Sequence, residues 1–240
     1  MNFTKILTAT LLVSLSACGS QSGSNTQDAP AVTEKQALTT APTQPTAARS
    51  MHPHDAALAA LPTLHELVAS GTPHRRGFRS VEEAKSATLA DSLPMYMIGL
   101  SDLTAFRPGQ NVRALLMDMQ EQMFPLAVDG DVRTSVIVRK RTGDIWEATQ
   151  FVHGPVGKAV HDSRANVSKA RGIDATKLIL IEIPALTTRL LGYDENGTLM
   201  VTPVYDVPGT SLHADGSYKA SDVFALLQPL AAQVDPNVPN

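Results

Sequence analysis

Several groups of residues in this chain have types and spacings that could do chemistry. His65-Glu66 opens like the helix of a zinc hydrolase, in which a second histidine must follow one turn later on the same face. That position is Ala69, so one ligand is missing. Gly154-Pro155-Val156-Gly157-Lys158-Ala159 is two residues short of a phosphate loop and lacks its closing Ser or Thr. It reads as the entry to a helix whose free N–H groups could attract an anion. Asp194-Glu195-Asn196-Gly197 starts like a calcium loop, but no distal glutamate completes it, and a hairpin turn explains it better. There is no Gly-x-Ser-x-Gly elbow. No two carboxylates have a spacing that marks them as acid and base, although such pairs are assembled across a fold as often as along a sequence.

Two clusters remain. His74-Arg75-Arg76-Gly77-Phe78-Arg79 packs Arg75, Arg76 and Arg79 into one connecting loop. Guanidinium forks beside an aromatic ring suit phosphate or carboxylate groups, such as lipid headgroups or acidic glycans. The bland reading, a loop with its charges in water, is the commoner fate of such a run. Met95-Tyr96-Met97 lies on a predicted strand, where both thioethers share a face that could bind Cu(I). Met117-Asp118-Met119 falls on a predicted helix, where i and i+2 diverge, so that pair cannot act alone. His52-Pro53-His54-Asp55 sits at the domain's entrance. The expectation is that Met95 and Met97 fill core gaps, as methionines commonly do. On that reading the domain holds no metal and no cofactor.

The elements that position these residues follow from periodicity. Asp55–Ser70 has a helical stripe bent or split at Pro62 and stopped by Gly71, and Ser80-Val81-Glu82-Glu83 is a capping box opening a helix to about Ser92. Pro94–Leu100 is a compact strand. Gln110–Met123 returns to helix, with Val112, Leu115, Leu116, Met119 and Met123 on one stripe. A meander of Phe124–Val128, Thr134–Lys140 and Ile145–Val152 turns at Asp129-Gly130-Asp131 and Thr142-Gly143-Asp144. Val156–Ala170 is helical. Leu178–Ile183, extended toward Tyr193, and Thr198–Val207 form another hairpin, and a last helix runs from Ser221 to about Gln233. Tight turns between adjacent strands imply antiparallel pairing. The predicted fold is α+β: a mostly antiparallel sheet of about five to six strands with helices packed on it. Ile98–Thr104 and Ile181–Thr187 echo one another in apolar pattern, which chance or an internal duplication would explain.

The first fifty residues carry a different message. One lysine, a short apolar run from Ile6 to Leu15, and Leu15-Ser16-Ala17-Cys18-Gly19-Ser20 resemble the signal peptide and lipobox of bacterial lipoprotein precursors. The run is too short for a hydrocarbon core of about 30 Å. The resemblance covers residues 1–20 and implies cleavage before Cys18, whose thiol receives the lipid. Two or more acyl chains then anchor the chain to a membrane. Without an aspartate at Gly19, the resemblance favours the outer membrane over inner-membrane retention. Residues 19–50, rich in Ser, Thr, Gln, Ala and Pro, read as a flexible linker with a typical reach of about 30 Å. Residues 51–240 read as one globular domain.

Composition narrows the function. Cys18 is the only cysteine, so thiol catalysis and Cys-ligated zinc are excluded from the domain. With 20 Lys and Arg against 23 Asp and Glu, the net charge of −3 argues against a nucleic-acid partner. The leading expectation is a membrane-anchored envelope lipoprotein whose domain, without catalysis, binds an envelope protein or glycan or serves assembly. One alternative is a hydrolase of envelope polymer with a site assembled only in the fold. The other is a periplasmic protein handling metal through Met and His.

Overall fold

The computed structural model describes residues 49–71 and 73–235. The chain enters through β1 (Arg49–Ser50) and two consecutive helices, α1 (Pro53–Ala59) and α2 (Leu61–Ser70). Each helix has a proline in its first turn, where a missing N–H costs no hydrogen bond. Ser80 caps α3 (Val81–Lys85), its Oγ accepting the Glu83 N–H at 3.1 Å. There follow β2 (Thr88–Leu89), β3 (Leu93–Met97), α4 (Leu100–Ala105), and the meander β4 (Met117–Val128), β5 (Asp131–Lys140) and β6 (Trp146–Phe151). α5 (Gly154–Arg171) ends at Gly172 in the left-handed conformation, φ 63°. The chain closes with β7 (Ile179–Ile183), β8 (Thr188–Glu195), β9 (Thr198–Pro203), β10 (Tyr218–Lys219) and α6 (Ala220–Ala231).

These strands form one mixed sheet of ten, in the order β1-β6-β5-β4-β3-β7-β8-β9-β10, with β2 also on β4. Every pairing is antiparallel except the central one, where β3 and β7 run parallel in the register Met95↔Leu180, Tyr96↔Ile181 and Met97↔Glu182. From this seam each half unrolls outward alike: a helical turn, then an antiparallel meander. Strand alternation sorts the core onto two faces. One face carries Leu93, Met95, Met123, Ile137, Leu180, Leu191 and Tyr193, covered by Val160 and Val167 of α5. On the opposite face, Phe124, Leu126, Val136 and Val138 pack under α1–α3, and Ile98, Ile181, Leu190 and Val201 under α4 and α6.

α5 lies unusually near the sheet. A Cβ on Gly154 would fall 2.8 Å from the Arg133 carbonyl oxygen, and one on Gly157 2.9 Å from Ser135 Oγ. In the middle of its buried stripe stands Arg164, only 4 % exposed. Its Nε donates to Ala175 O at 3.0 Å and its Nη1 to Asp91 O at 2.5 Å. One guanidinium therefore holds the segments that lead into both central strands.

The expectation of five to six strands is overturned. Gln110–Met123 is not a helix: a 3-10 turn at Val112–Leu115 gives way to β4, which runs on through the predicted strand Phe124–Val128. Its apolar residues fit a helical stripe but also serve two sheet faces in alternation, and neighbouring strands decided between them. Leu178–Tyr193 is two strands, reversed at Pro184–Leu186 with Thr187 at φ 50°. The helix capped by Ser80 stops at Lys85, leaving β2 where helix was expected. β1, β2 and β10 have two residues each, too few to show a period. The parallel seam joins strands far apart in sequence, so no turn announces it. The last helix is preceded by Lys219, not Ser221.

Two outcomes follow for stability. Arg164→Leu removes the hydrogen bonds to the Asp91 and Ala175 carbonyls and should lower unfolding free energy by roughly 1–3 kcal/mol in urea titration. Arg164→Lys, a single point charge without the planar fork, should recover less than half of that loss. His161, half-buried on α5, has its pKa lowered chiefly by desolvation, with smaller push from Arg164 and Lys158. Its contribution is therefore full above the ordinary imidazole value of about 6.5 and is lost as pH falls from there through the lower folded value. Melting temperature should drop from pH 7.5 to 5.5 by less in His161→Gln than in the wild type.

Candidate functional site

Beyond the last buried turn of α5 the covered face of the sheet opens into a cleft of about 400 Å³. Its walls are α5, strand β9 and the loop between β9 and β10. Thr202 lies in its floor, 4 % exposed, and its hydroxyl has no hydrogen-bond partner among the described residues. Asn166 and Arg171 stand on the helix side and Asp215 on the loop side. Among the described residues none of these three side chains forms an ion pair or hydrogen bond. A cation, an anion, an amide and a hydroxyl thus border one concavity without being engaged by the fold.

The loop wall is built around the Tyr218 phenol, which accepts the His213 N–H at 3.1 Å and donates to Ser211 O at 3.3 Å. Gly216 passes so near the ring that a Cβ there would sit 2.1 Å from the phenolic oxygen. Asp206 accepts the Ala214 N–H at 2.9 Å, and this bond is the main reason that its carboxyl lies below the usual range. Ser217 is tied to the sheet through the Tyr193 hydroxyl. The His213–Asp206 pair, 3.7 Å apart, is exposed and lies outside the cleft lining.

Cys18 and the linker before Arg49 lie outside the described residues; Arg49 and Ser50 already pair with β6. Arg75 lies in the 3-10 turn Pro73–Arg76. Arg76 Nη1 donates to Phe151 O at 3.1 Å, and Arg79 pairs with Glu83 at 3.6 Å. The structure brings this loop against the start of α5, where an ionic belt continues from Glu83 to Arg133 (2.9 Å), Asp131 (2.6 Å), Lys158 (2.9 Å) and Asp162 (3.2 Å). Asp131 is held below the usual carboxylate range mainly by the Lys158 ammonium, whose own pKa it raises. The belt's three guanidinium and ammonium groups are matched by three carboxylates. The N–H groups of Val156 and Gly157 both donate to His153 O. Asp194 accepts the Gly197 N–H at 2.8 Å, and Asn196 and Gly197 have positive φ, which makes this segment the hairpin turn it resembled.

Methionine and histidine are not brought together. Met95 is 2 % exposed on the α5 face, whereas the His54 ring packs edge-on against Phe124 of the opposite face. The periodicity that predicts a helix for Met117-Asp118-Met119 conceals its place on a strand. Met117 lies on β4 directly opposite Met97 of β3, so the two Met-x-Met segments are strand neighbours. Among the described residues no group of three or more His, Cys, Asp or Glu side chains could hold a metal.

Gly216→Ala should displace the Tyr218 ring and loosen the cleft's loop. Amide exchange at His213 and Ala214 should accelerate at least tenfold while β7 and β8 keep their protection. Unchanged exchange would show that the loop does not depend on this packing. Comparison of the chain with protein-family models, with curated proteins and with solved structures finds no match.

Proposed function

We propose that this chain is a membrane-anchored envelope lipoprotein whose domain binds, without catalysis, a small zwitterionic ligand such as a peptide terminus in the cleft beside α5. The observation that carries the reading is the cleft's set of side chains not engaged elsewhere. Arg171 suits a carboxylate, Asp215 an ammonium, and Asn166 and Thr202 the amide between them. The Thr202 hydroxyl is not spent on the fold, so it is free to bond a polar ligand. The lining contains no aromatic ring on which a sugar would stack, which favours a peptide over a glycan. It contains one carboxylate, where hydrolysis by an acid–base pair needs two groups. On this reading Cys18 carries the acyl chains, the outer membrane is the site, and the chain between Cys18 and Arg49 is the tether.

Both parts are testable. In cells fed labelled fatty acid, the wild type should take up label and Cys18→Ala should not; label in the variant would sink the anchor. For the cleft, titration with alanyl-alanine should shift the backbone resonances of Asn166, Thr202 and Ser217. Arg171→Ala should weaken that binding at least tenfold. Shifts scattered elsewhere, or no saturation at millimolar ligand, would reject the cleft as the binding site.

A further inference from the structure

The apolar period predicts a helix for Met117-Asp118-Met119, on which its two thioethers would diverge. The structure sets it on β4, antiparallel to β3, with Met117↔Met97 and Asp118↔Tyr96 as partners. Directly opposed residues on adjacent strands have Cβ atoms about 4.5–5.5 Å apart. Met97 shares the face of Leu93 and Met95, and Met119 packs against the same cluster. Three thioethers from two strands, Met97, Met117 and Met119, therefore lie on one face. Met117 is 48 % exposed and Met97 and Met119 are half-buried, so the corner is open to an ion, unlike Met95 beneath it.

The backbone makes a detour to achieve this. Between Asp118, opposite Tyr96, and Glu121, opposite Met95, β4 carries the extra residues Met119 and Gln120. Gln120 takes φ 53°, outside the region L-residues favour. Asp118 holds it there: its Oδ1 accepts the Gln120 N–H at 2.8 Å and its Oδ2 the Gln120 Nε2 at 2.6 Å. Bulges of this kind re-aim a side chain, and strained backbone of a non-glycine residue concentrates at functional sites. The nearest carboxylates on this face are already engaged, Glu121 by Arg139 and Glu182 by Arg189 at 2.7 Å. What is left at the corner is neutral and soft.

We propose that Met97, Met117 and Met119 form a thioether site for a soft monovalent cation, Cu(I) or Ag(I). Thioether sulfur prefers such d¹⁰ ions to hard or divalent ones, and three neutral ligands suit a single positive charge. The site is separate from the cleft beside α5 and does not depend on the peptide reading. Thioethers do not titrate, so binding releases no proton and its affinity is independent of pH, unlike that of cysteine or histidine sites.

The test uses the full chain carrying Cys18→Ala, which removes the only thiol. Titration with Cu(I) against a chromophoric chelator should give one ion per chain, with the same affinity at pH 5.5 and 7.5. X-ray absorption should show sulfur ligands alone. Met97→Leu and Met117→Leu should each weaken binding at least tenfold, and together abolish it, while Met51→Leu changes nothing. Leucine conserves methionine's volume, so melting temperatures should stay within a few degrees, which shows that the variants fold. Asp118→Ala keeps all three sulfurs but frees Gln120, and should weaken binding as well. Less than stoichiometric Cu(I), undiminished binding in the double leucine variant, or a tenfold loss of affinity between pH 7.5 and 5.5 would each overturn the proposal.

Discussion

The guanidinium of Arg164 is the constraint on which the sheet's continuity depends. β3 and β7 meet in only three parallel residue pairs, and no hairpin joins them. Parallel pairing is slightly less stable per residue, and its loop-closure entropy is set by the long chain between the two strands. Arg164 stiffens this junction from outside the sheet, by donating to the carbonyls of Asp91 and Ala175 just ahead of each strand. A lysine could satisfy one of these acceptors; a forked guanidinium satisfies both in one plane. Burial disfavours its charge, opposed by Asp91 and Asp174 nearby. The close seat of α5, which Gly154 and Gly157 allow, is what brings the guanidinium within reach of both segments.

Among the described residues, one α-helix on that face against five on the other leaves the sheet unevenly covered. α5 shields the middle of its face, where Leu180, Leu191 and Met123 lie. Toward the β9 side the helix ends before the sheet does, and the β9–β10 loop rises to form the cleft. At the end of β3, Met97 and Met117 are likewise left beyond its cover. On the opposite face, α1–α3 and α4 with α6 form two separate cores, and Gln228 of α6 donates to the carbonyls of Thr104 and Phe106 where α4 ends. The cleft and the methionine corner therefore share a cause: they lie at the ends of a face that a single helix does not span.

Much of the fold was legible where one signal dominated. The Ser80 cap, the Pro62 break, the Gly172 stop and the Asp194–Gly197 turn are local chemistry, and local chemistry survives in any tertiary context. β4 was not legible, because Val112, Leu115, Leu116, Met119 and Met123 satisfy a helical period, although only Met119 and Met123 lie on the strand. Met117, Met119 and Met123 do alternate, but the polar Glu121 stands between them on the same face and interrupts the apolar pattern. Arg164 did leave a signal, an arginine on the same helical face as Val160 and Val167, where a charge needs a partner that the sequence does not name. The cleft left almost none: Asn166, Arg171, Thr202 and Asp215 come from three elements and look like ordinary surface residues until the sheet aligns them.

The bulge in β4 bears on why the methionines are where they are. If Met117 and Met119 served only to fill space, an unbulged strand carrying leucine would do so without strain. Instead Gln120 sits in a conformation that costs on the order of 1–3 kcal/mol for a non-glycine residue. The two hydrogen bonds that Asp118 accepts from Gln120 offset part of this, at a net of roughly 0.5–1.5 kcal/mol each and less where water competes. Glycine at position 120 would remove most of the strain, yet it would also free the backbone on either side of Met119. A side chain that anchors through its amide to Asp118 fixes the direction of Met119 instead. Rigid placement of a partly exposed thioether contributes little to a core, whose methionines are useful because they adapt. It contributes a great deal to a ligand set, in which each sulfur must already be aimed when the ion arrives.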